Sequence, residues 1–196
     1  MKLLIASANR GKIAELTDLL KGLGIALVSF DDYPDMPETV EDGATFLENA
    51  LKKAGAACEY TGLPALADDS GLEVDALDGR PGVLSARFGP TSEERNRRLL
   101  AMLETVPDSL RTARFVCTLA LVKPDGFTWT TTGTVEGRII REPRGDGGFG
   151  YDPVFFYEPY GKTFAELPAG QKNAVSHRGR ALQVFRLAIE NEGILG

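Results

Sequence analysis

The 196-residue chain reads as an α/β protein built on a mixed β-sheet with flanking helices. Three observations point there. Short apolar runs alternate with helical periodicity through the first half, the pattern of strands covered by helices. Two long extended runs, TARFVCTLALVKP and FTWTTTGTVEGRII, meet at Asp125-Gly126 and predict an antiparallel hairpin late in the chain. No repeat, low-complexity tract or Pro/Ser-rich linker interrupts this order, so residues 1–196 are taken as one domain.

Taken in order, residues 2–7 form a short buried strand. GKIAELTDLLKGLG is then an amphipathic helix, with Ile13, Leu16, Leu19, Leu20 and Leu23 at helical spacing and Gly24 as its stop. Residues 25–30 give a second strand. After a polar, proline-containing loop, ATFLENALKKAGAACEY is a helix with Phe46, Ala50, Ala54 and Ala57 near one face. The stretch ALADDSGLEVDAL follows as a strand over 64–67, an acidic turn at Asp68-Asp69, and a further strand over 72–77. RPGVLSARFGP is a Gly/Pro-punctuated loop. TSEERNRRLLAMLETV opens a helix, with Ser/Thr at its start and glutamates in its first turn. Beyond the hairpin, REPRGDGGFGYDPVFFY is a Gly-rich, flexible loop running into a strand. SHRGRALQVFRLAIENEG closes the chain as a helix capped by Ser176, with Ala181, Leu182, Phe185 and Ile189 facing inward.

Composition narrows the setting. Hydrophobic content of 43% and charged content of 26% describe an ordinary globular protein. A net charge of −6 argues against a non-specific nucleic-acid partner, so any phosphate must be met by local Lys and Arg. Cys58 and Cys117 lie far apart without CxxC spacing, which suits a reducing compartment and gives no soft-metal site. The apolar run in MKLLIASANRGK is too short for a signal peptide or a membrane span; a cytoplasmic protein without membrane contact is expected.

Four groups of residues carry candidate chemistry. The turn SANRGK (Ser7, Ala8, Asn9, Arg10, Gly11, Lys12) joins a strand to a helix, presents backbone N–H groups at the helix's positive end, and adds a lysine. It is neither a P-loop nor a GxGxxG fingerprint, and most such junctions bind nothing. Glu41, Glu48, Asp68 and Asp69 are hard oxygen ligands near predicted element ends, and Mg²⁺ takes one or two protein carboxylates besides phosphates and water. The acidic pair reads either as a solvated turn bent by Gly71, or as ligands and activators of water; if the strand runs on through it, its two side chains point to opposite faces. In GGFGYDP, glycines let the backbone approach a ligand and Phe149 or Tyr151 offers a ring for a flat base, unless the segment is only a long sheet connection. Lys172, His177 and Arg178 gather around a helix start, where cations oppose the macrodipole unless something anionic offsets them.

SANRGK, TFLENALKKA, LADDSGLEVDAL, PGVLSARF, GFGYDPVF and AELPAGQKNAVSHRGRAL together resemble, in order and spacing, the non-canonical purine nucleoside triphosphate pyrophosphatases, the inosine/xanthosine triphosphatase family. The resemblance spans essentially the whole chain. The turn departs from the Thr-Asn-Asn of many relatives at Ala8. The resemblance implies an elongated α/β fold with two lobes around a nucleotide cleft, a homodimer, and Mg²⁺-dependent hydrolysis of ITP, dITP or XTP to the monophosphate and pyrophosphate. It implies a site in which Ser7, Ala8, Asn9, Arg10, Gly11 and Lys12 hold the triphosphate, and Asp69 sits at the catalytic centre. Glu41 and Asp69 become the metal ligands, with Glu48 as a rival to Glu41. Ser70, Phe149, Gly150, Tyr151, Asp152, Lys172, His177 and Arg178 line the substrate, and Asp68 takes a lesser part. Arg and His donors would then satisfy the C6 oxygen of hypoxanthine or xanthine and clash with the adenine amino group. Two rivals stay in view: a fold-related pyrophosphatase for modified pyrimidine or methylated nucleotides, against which the SHR and GFGYDP blocks count, and a non-catalytic nucleotide sensor, against which the retained acids count.

Overall fold

The computed structural model describes residues 1–195. Its seven strands form one mixed sheet in the order β2-β1-β3-β4-β5-β6-β7. They are β1 (Lys2–Ala6), β2 (Ala26–Val28), β3 (Ala65–Val74), β4 (Thr112–Val122), β5 (Thr128–Ile139), β6 (Phe155–Tyr157) and β7 (Lys162–Thr163). β1 pairs in parallel with β2 and β3, whereas β5–β6 and β6–β7 are antiparallel. The helices are α1 (Arg10–Leu19), α2 (Phe46–Thr61), α3 (Ser92–Met102), α4 (Ala169–Val175) and α5 (His177–Glu192).

Two compact units share the chain. The first comprises residues 1–69, 117–133 and 178–196; the second comprises 70–116 and 134–177. In the first unit alternate strand residues feed opposite layers. Leu3, Ile5, Leu66, Cys117 and Leu119 pack with Leu16 of α1 and Leu182 and Phe185 of α5. Leu4, Ala6, Ala65, Ala67 and Ala120 pack with Ala50, Ala54 and Ala57 of α2. Small residues on both surfaces let α2 lie close to the sheet. The second unit has its own aromatic core, in which Phe115 of β4 lies 4.5 Å from the Phe155 ring and 5.9 Å from that of Phe164.

Several sequence expectations shift here. α1 ends at Leu19 and not at Gly24, because two left-handed glycines, Gly22 and Gly24, turn the chain early; Leu23 packs from the turn. The acidic turn does not exist. β3 runs unbroken through Asp68, Asp69 and Gly71, since partners distant in sequence compensate the buried charges. A separate short helix, α4, ends at Val175, and Ser176 stands with extended backbone directly before α5, in the place expected of it. The hairpin stands where expected: Lys123 and Phe127 close it by a main-chain bond, with Gly126 at φ +88°.

Candidate active site

The register of the parallel strands places the first group of residues. Ala6 pairs with Ala67, so Ser7 leaves β1 where β3 reaches Asp68. This is the carboxyl end of the parallel strands, the usual place for ligands in α/β sheets. Ser7 Oγ accepts the Asn9 N–H at 3.2 Å, and Asn9 caps α1 by accepting the Lys12 N–H at 3.1 Å. Ala8, Asn9 and Arg10 are exposed, and Gly11 and Lys12 half-buried.

Alternation along β3 then splits the two acids. Asp68 continues the face of Leu66 and meets α1 and α5; Asp69 continues the face of Ala67 and meets α2. Asp68 is 1% exposed. Its Oδ1 takes Lys12 Nζ at 2.6 Å, and its Oδ2 takes Arg178 Nε at 2.8 Å and the Cys117 thiol at 3.0 Å. Arg178 also pairs with Glu15 of α1. Burial would raise the Asp68 pKa, but the Arg178 and Lys12 charges override it and hold the carboxyl well below its ordinary value. The same carboxylates hold Arg178 cationic against the pull of burial.

Asp69 Oδ1 lies 2.9 Å from Lys53 Nζ, and Asn49 Nδ2 donates to Oδ2 at 3.4 Å. Glu41 Oε2 reaches the same ammonium at 3.4 Å, so two carboxylates converge on one cation. Burial raises the Asp69 pKa more than Lys53 and Lys12 lower it. The doublet thus holds a strongly anionic carboxylate beside a more basic one. Glu48 is tied to the start of α2: its Oε2 accepts the Ala44 N–H at 2.7 Å while Thr45 Oγ1 accepts the Glu48 N–H. Glu41 and Asp69 are hard oxygen donors and suit Mg²⁺. Among the described residues no three His, Cys, Asp or Glu side chains cluster to hold a metal, so a cation at this pair would need substrate phosphates and water to complete its shell.

The second group belongs to the second unit. Asp152 Oδ2 accepts both the Phe149 N–H at 2.8 Å and Lys172 Nζ at 2.6 Å, and that ammonium lies 4.5 Å from the centre of the Phe149 ring. The segment read as flexible is tied down: Gly147 N donates to Ala165 O, Thr163 Oγ1 to Arg144 O, and Asn96 Nδ2 to Gly150 O. Tyr151 is buried in the core with its hydroxyl on Ser85 O, so Phe149 is the ring that retains exposure. His177 is 5% exposed and stacks on Phe115 at 4.8 Å. Lys172 sits in the last turn of α4, where its charge suits the helix dipole instead of opposing it. Ser70 is half-buried on β3.

Gly148 makes this arrangement sensitive. Its φ is +68°, and a Cβ there would stand 2.1 Å from Asp152 Oδ2. Gly148→Ala is expected to lose about 1–2 kcal/mol from backbone strain alone, roughly 2–8 °C in Tm. A melting curve that superposes on wild type would show that Asp152 does not hold this position.

Lys53, Asn49, Glu15, Cys117 and Phe115 were absent from the sequence-derived set. Asn49 and Lys53 carried a signal: they fall on the same helical stripe as Ala50, Ala54 and Ala57, and polar groups on a buried face need a polar partner.

Comparison with known proteins gives a consistent picture. The family model described as the Ham1 family matches residues 3–188. A dITP/XTP pyrophosphatase of Geobacter sulfurreducens is 54% identical over 98% of each chain. One of Thermus thermophilus is 52% identical over 94% of this chain and 90% of its own. Among solved structures, a HAM1 protein from Coxiella burnetii matches with a TM-score of 0.89 at 42% identity, covering 97% of this chain and 98% of that one. A nucleoside-triphosphatase (dITP/XTP pyrophosphatase) from Mycobacterium abscessus gives 0.78 at 47% identity, covering 94% and 98%.

Proposed function

Because the chain belongs to the Ham1 family, we propose that it hydrolyses ITP, dITP and XTP to the nucleoside monophosphate and pyrophosphate, removing deaminated purines from the nucleotide pool. The observation that carries the reading is the split doublet. At the carboxyl end of β1 and β3, Asp68 engages Lys12 while Asp69 and Glu41 share Lys53, so two ammonium groups and the carboxylates they hold gather beside the SANRGK turn.

In this reading Ser7, Ala8, Asn9, Arg10, Gly11 and Lys12 bind the phosphates, with Lys12 and Lys53 offsetting their charge. Asp69, made more basic by burial, orients the attacking water and receives its proton. The water oxygen bonds to the α-phosphorus, the bond from that phosphorus to the bridging oxygen breaks, and pyrophosphate leaves. Glu41 and Asp69 would hold Mg²⁺, which supplies charge neutralisation on the phosphate oxygens. Phe149 offers a face to the base, with Gly150 and Asp152 fixing its loop and Tyr151 anchoring it from the core. Lys172, Ser70, His177 and Arg178 complete the substrate contacts, the His and Arg donors favouring a C6 oxygen over an amino group. The family resemblance adds a homodimer, and the net charge and cysteine spacing support a cytoplasmic protein without a nucleic-acid partner. Among the described residues no helix is long and apolar enough to cross a membrane.

The test is product analysis with ITP, dITP, XTP and ATP in the presence and absence of Mg²⁺. Rapid release of pyrophosphate from the first three and slow turnover of ATP are expected. Orthophosphate as first product, or equal rates with ATP, would refute the reading.

A further inference from the structure

We propose that Asp68 is a positioning residue whose carboxylate fixes the Lys12 ammonium for the incoming triphosphate, and that this side chain acts on the reaction only through that lysine. The inference rests on the reading of Lys12 as a phosphate contact. Asp68 is enclosed at 1% exposure, and its carboxylate is engaged by Lys12, Arg178 and the Cys117 thiol. Each of those partners comes from a different element: α1, α5 and β4. Its main-chain carbonyl adds a second link, accepting Lys53 Nζ at 2.8 Å and Lys12 Nζ at 3.5 Å. One residue therefore addresses both ammonium groups of the first unit's cluster, Lys12 through its side chain and Lys53 through its backbone.

The physical reason is ordering. A lysine carries its charge on a flexible four-carbon stem, and holding that stem in place before the substrate arrives removes the cost of ordering it on binding. The arrangement is also balanced, Lys12 and Arg178 against Asp68 and Glu15, so the lysine is held without leaving a buried charge uncompensated. Asp69, one residue on, has none of these partners on its side chain except through the weaker influence of Lys12, which separates the two roles.

A double-mutant cycle on kcat/KM for ITP tests this, using wild type, Asp68→Asn, Lys12→Met and the double variant. Asn keeps the shape and the main-chain carbonyl while removing the charge. Asp68→Asn is expected to lower kcat/KM by about tenfold or more, and the double variant to match Lys12→Met within about twofold. A double variant that falls below Lys12→Met by the same factor that Asp68→Asn falls below wild type would overturn the proposal. If Asp68→Asn alone does not fold, the double variant decides. Recovery of a folded protein once the Lys12 charge is gone supports the coupling; failure of the double variant beside a folded Lys12→Met overturns it, assigning Asp68 to the fold through Arg178. A wild-type enzyme without ITP hydrolysis, or a fully active Lys12→Met, would instead remove the functional reading beneath it, and both are seen before the cycle is closed.

Discussion

Replacing Asp69 by Asn is expected to lower kcat for ITP by about 100-fold or more, as for loss of a general base or essential ligand. The fold should survive. Asn conserves volume, and Lys53 keeps Glu41 and the Asp68 carbonyl as partners. Removing a carboxylate whose ionised form is disfavoured by burial also relieves a desolvation cost, which helps offset the lost ion pair. The check is kcat measured beside a thermal melt. A variant melting near wild type with turnover reduced about 100-fold places Asp69 in the chemistry; turnover near wild type makes it a structural partner of Lys53 and refutes the mechanism.

The contrast between the two acids also shows what could be read from sequence. The hairpin was legible because its signal is local: β-formers on either side of Asp125-Gly126, with Gly126 taking the positive φ that the turn demands. The inward faces of α1, α2 and α5 followed from periodicity alone. The doublet was misread as a turn because the groups that make its burial tolerable are not local: Lys12 lies 56 residues away and Arg178 110. Yet the opposite facing of the two side chains needed only strand alternation, and that rule correctly sorted them between α1/α5 and α2. The place of Glu48 at a helix start was legible: Thr45-x-x-Glu48 ahead of an apolar run is a capping-box pattern, and here Thr45 Oγ1 accepts the Glu48 N–H while the Glu48 carboxylate accepts the N–H of Ala44, one residue before the cap. The loop around Phe149 was read as flexible because glycines dominate it. Here those glycines permit close packing against the backbone of Ala165, a contact with no signature in the loop itself.

Arg178 is where the sequence reading and the geometry ask different things of one side chain. The resemblance gives it to the purine C6 oxygen; the structure commits its Nε to Asp68 and its Nη1 to Glu15, at 1% exposure. Arg178→Met keeps much of the volume and removes the charge, leaving Asp68 with Lys12 as a remaining cation and taking the guanidinium from Glu15. Breaking a buried pair in this way costs about 3–5 kcal/mol, roughly 6–20 °C in Tm for a chain of this size. Neutralising Asp68 and Glu15 in the same protein, as Asn and Gln, should recover part of that loss, because replacing a whole buried ionic network is far less costly than orphaning its members. A melting temperature unchanged in Arg178→Met would mean the network adds nothing to stability. Kinetics on the folded variant then settle the second role. A guanidinium that also reads the base loses about one to two decades of the ITP-to-ATP ratio in kcat/KM when removed, whereas one that only secures Asp68 lowers both substrates by the same factor and leaves the ratio where it stood.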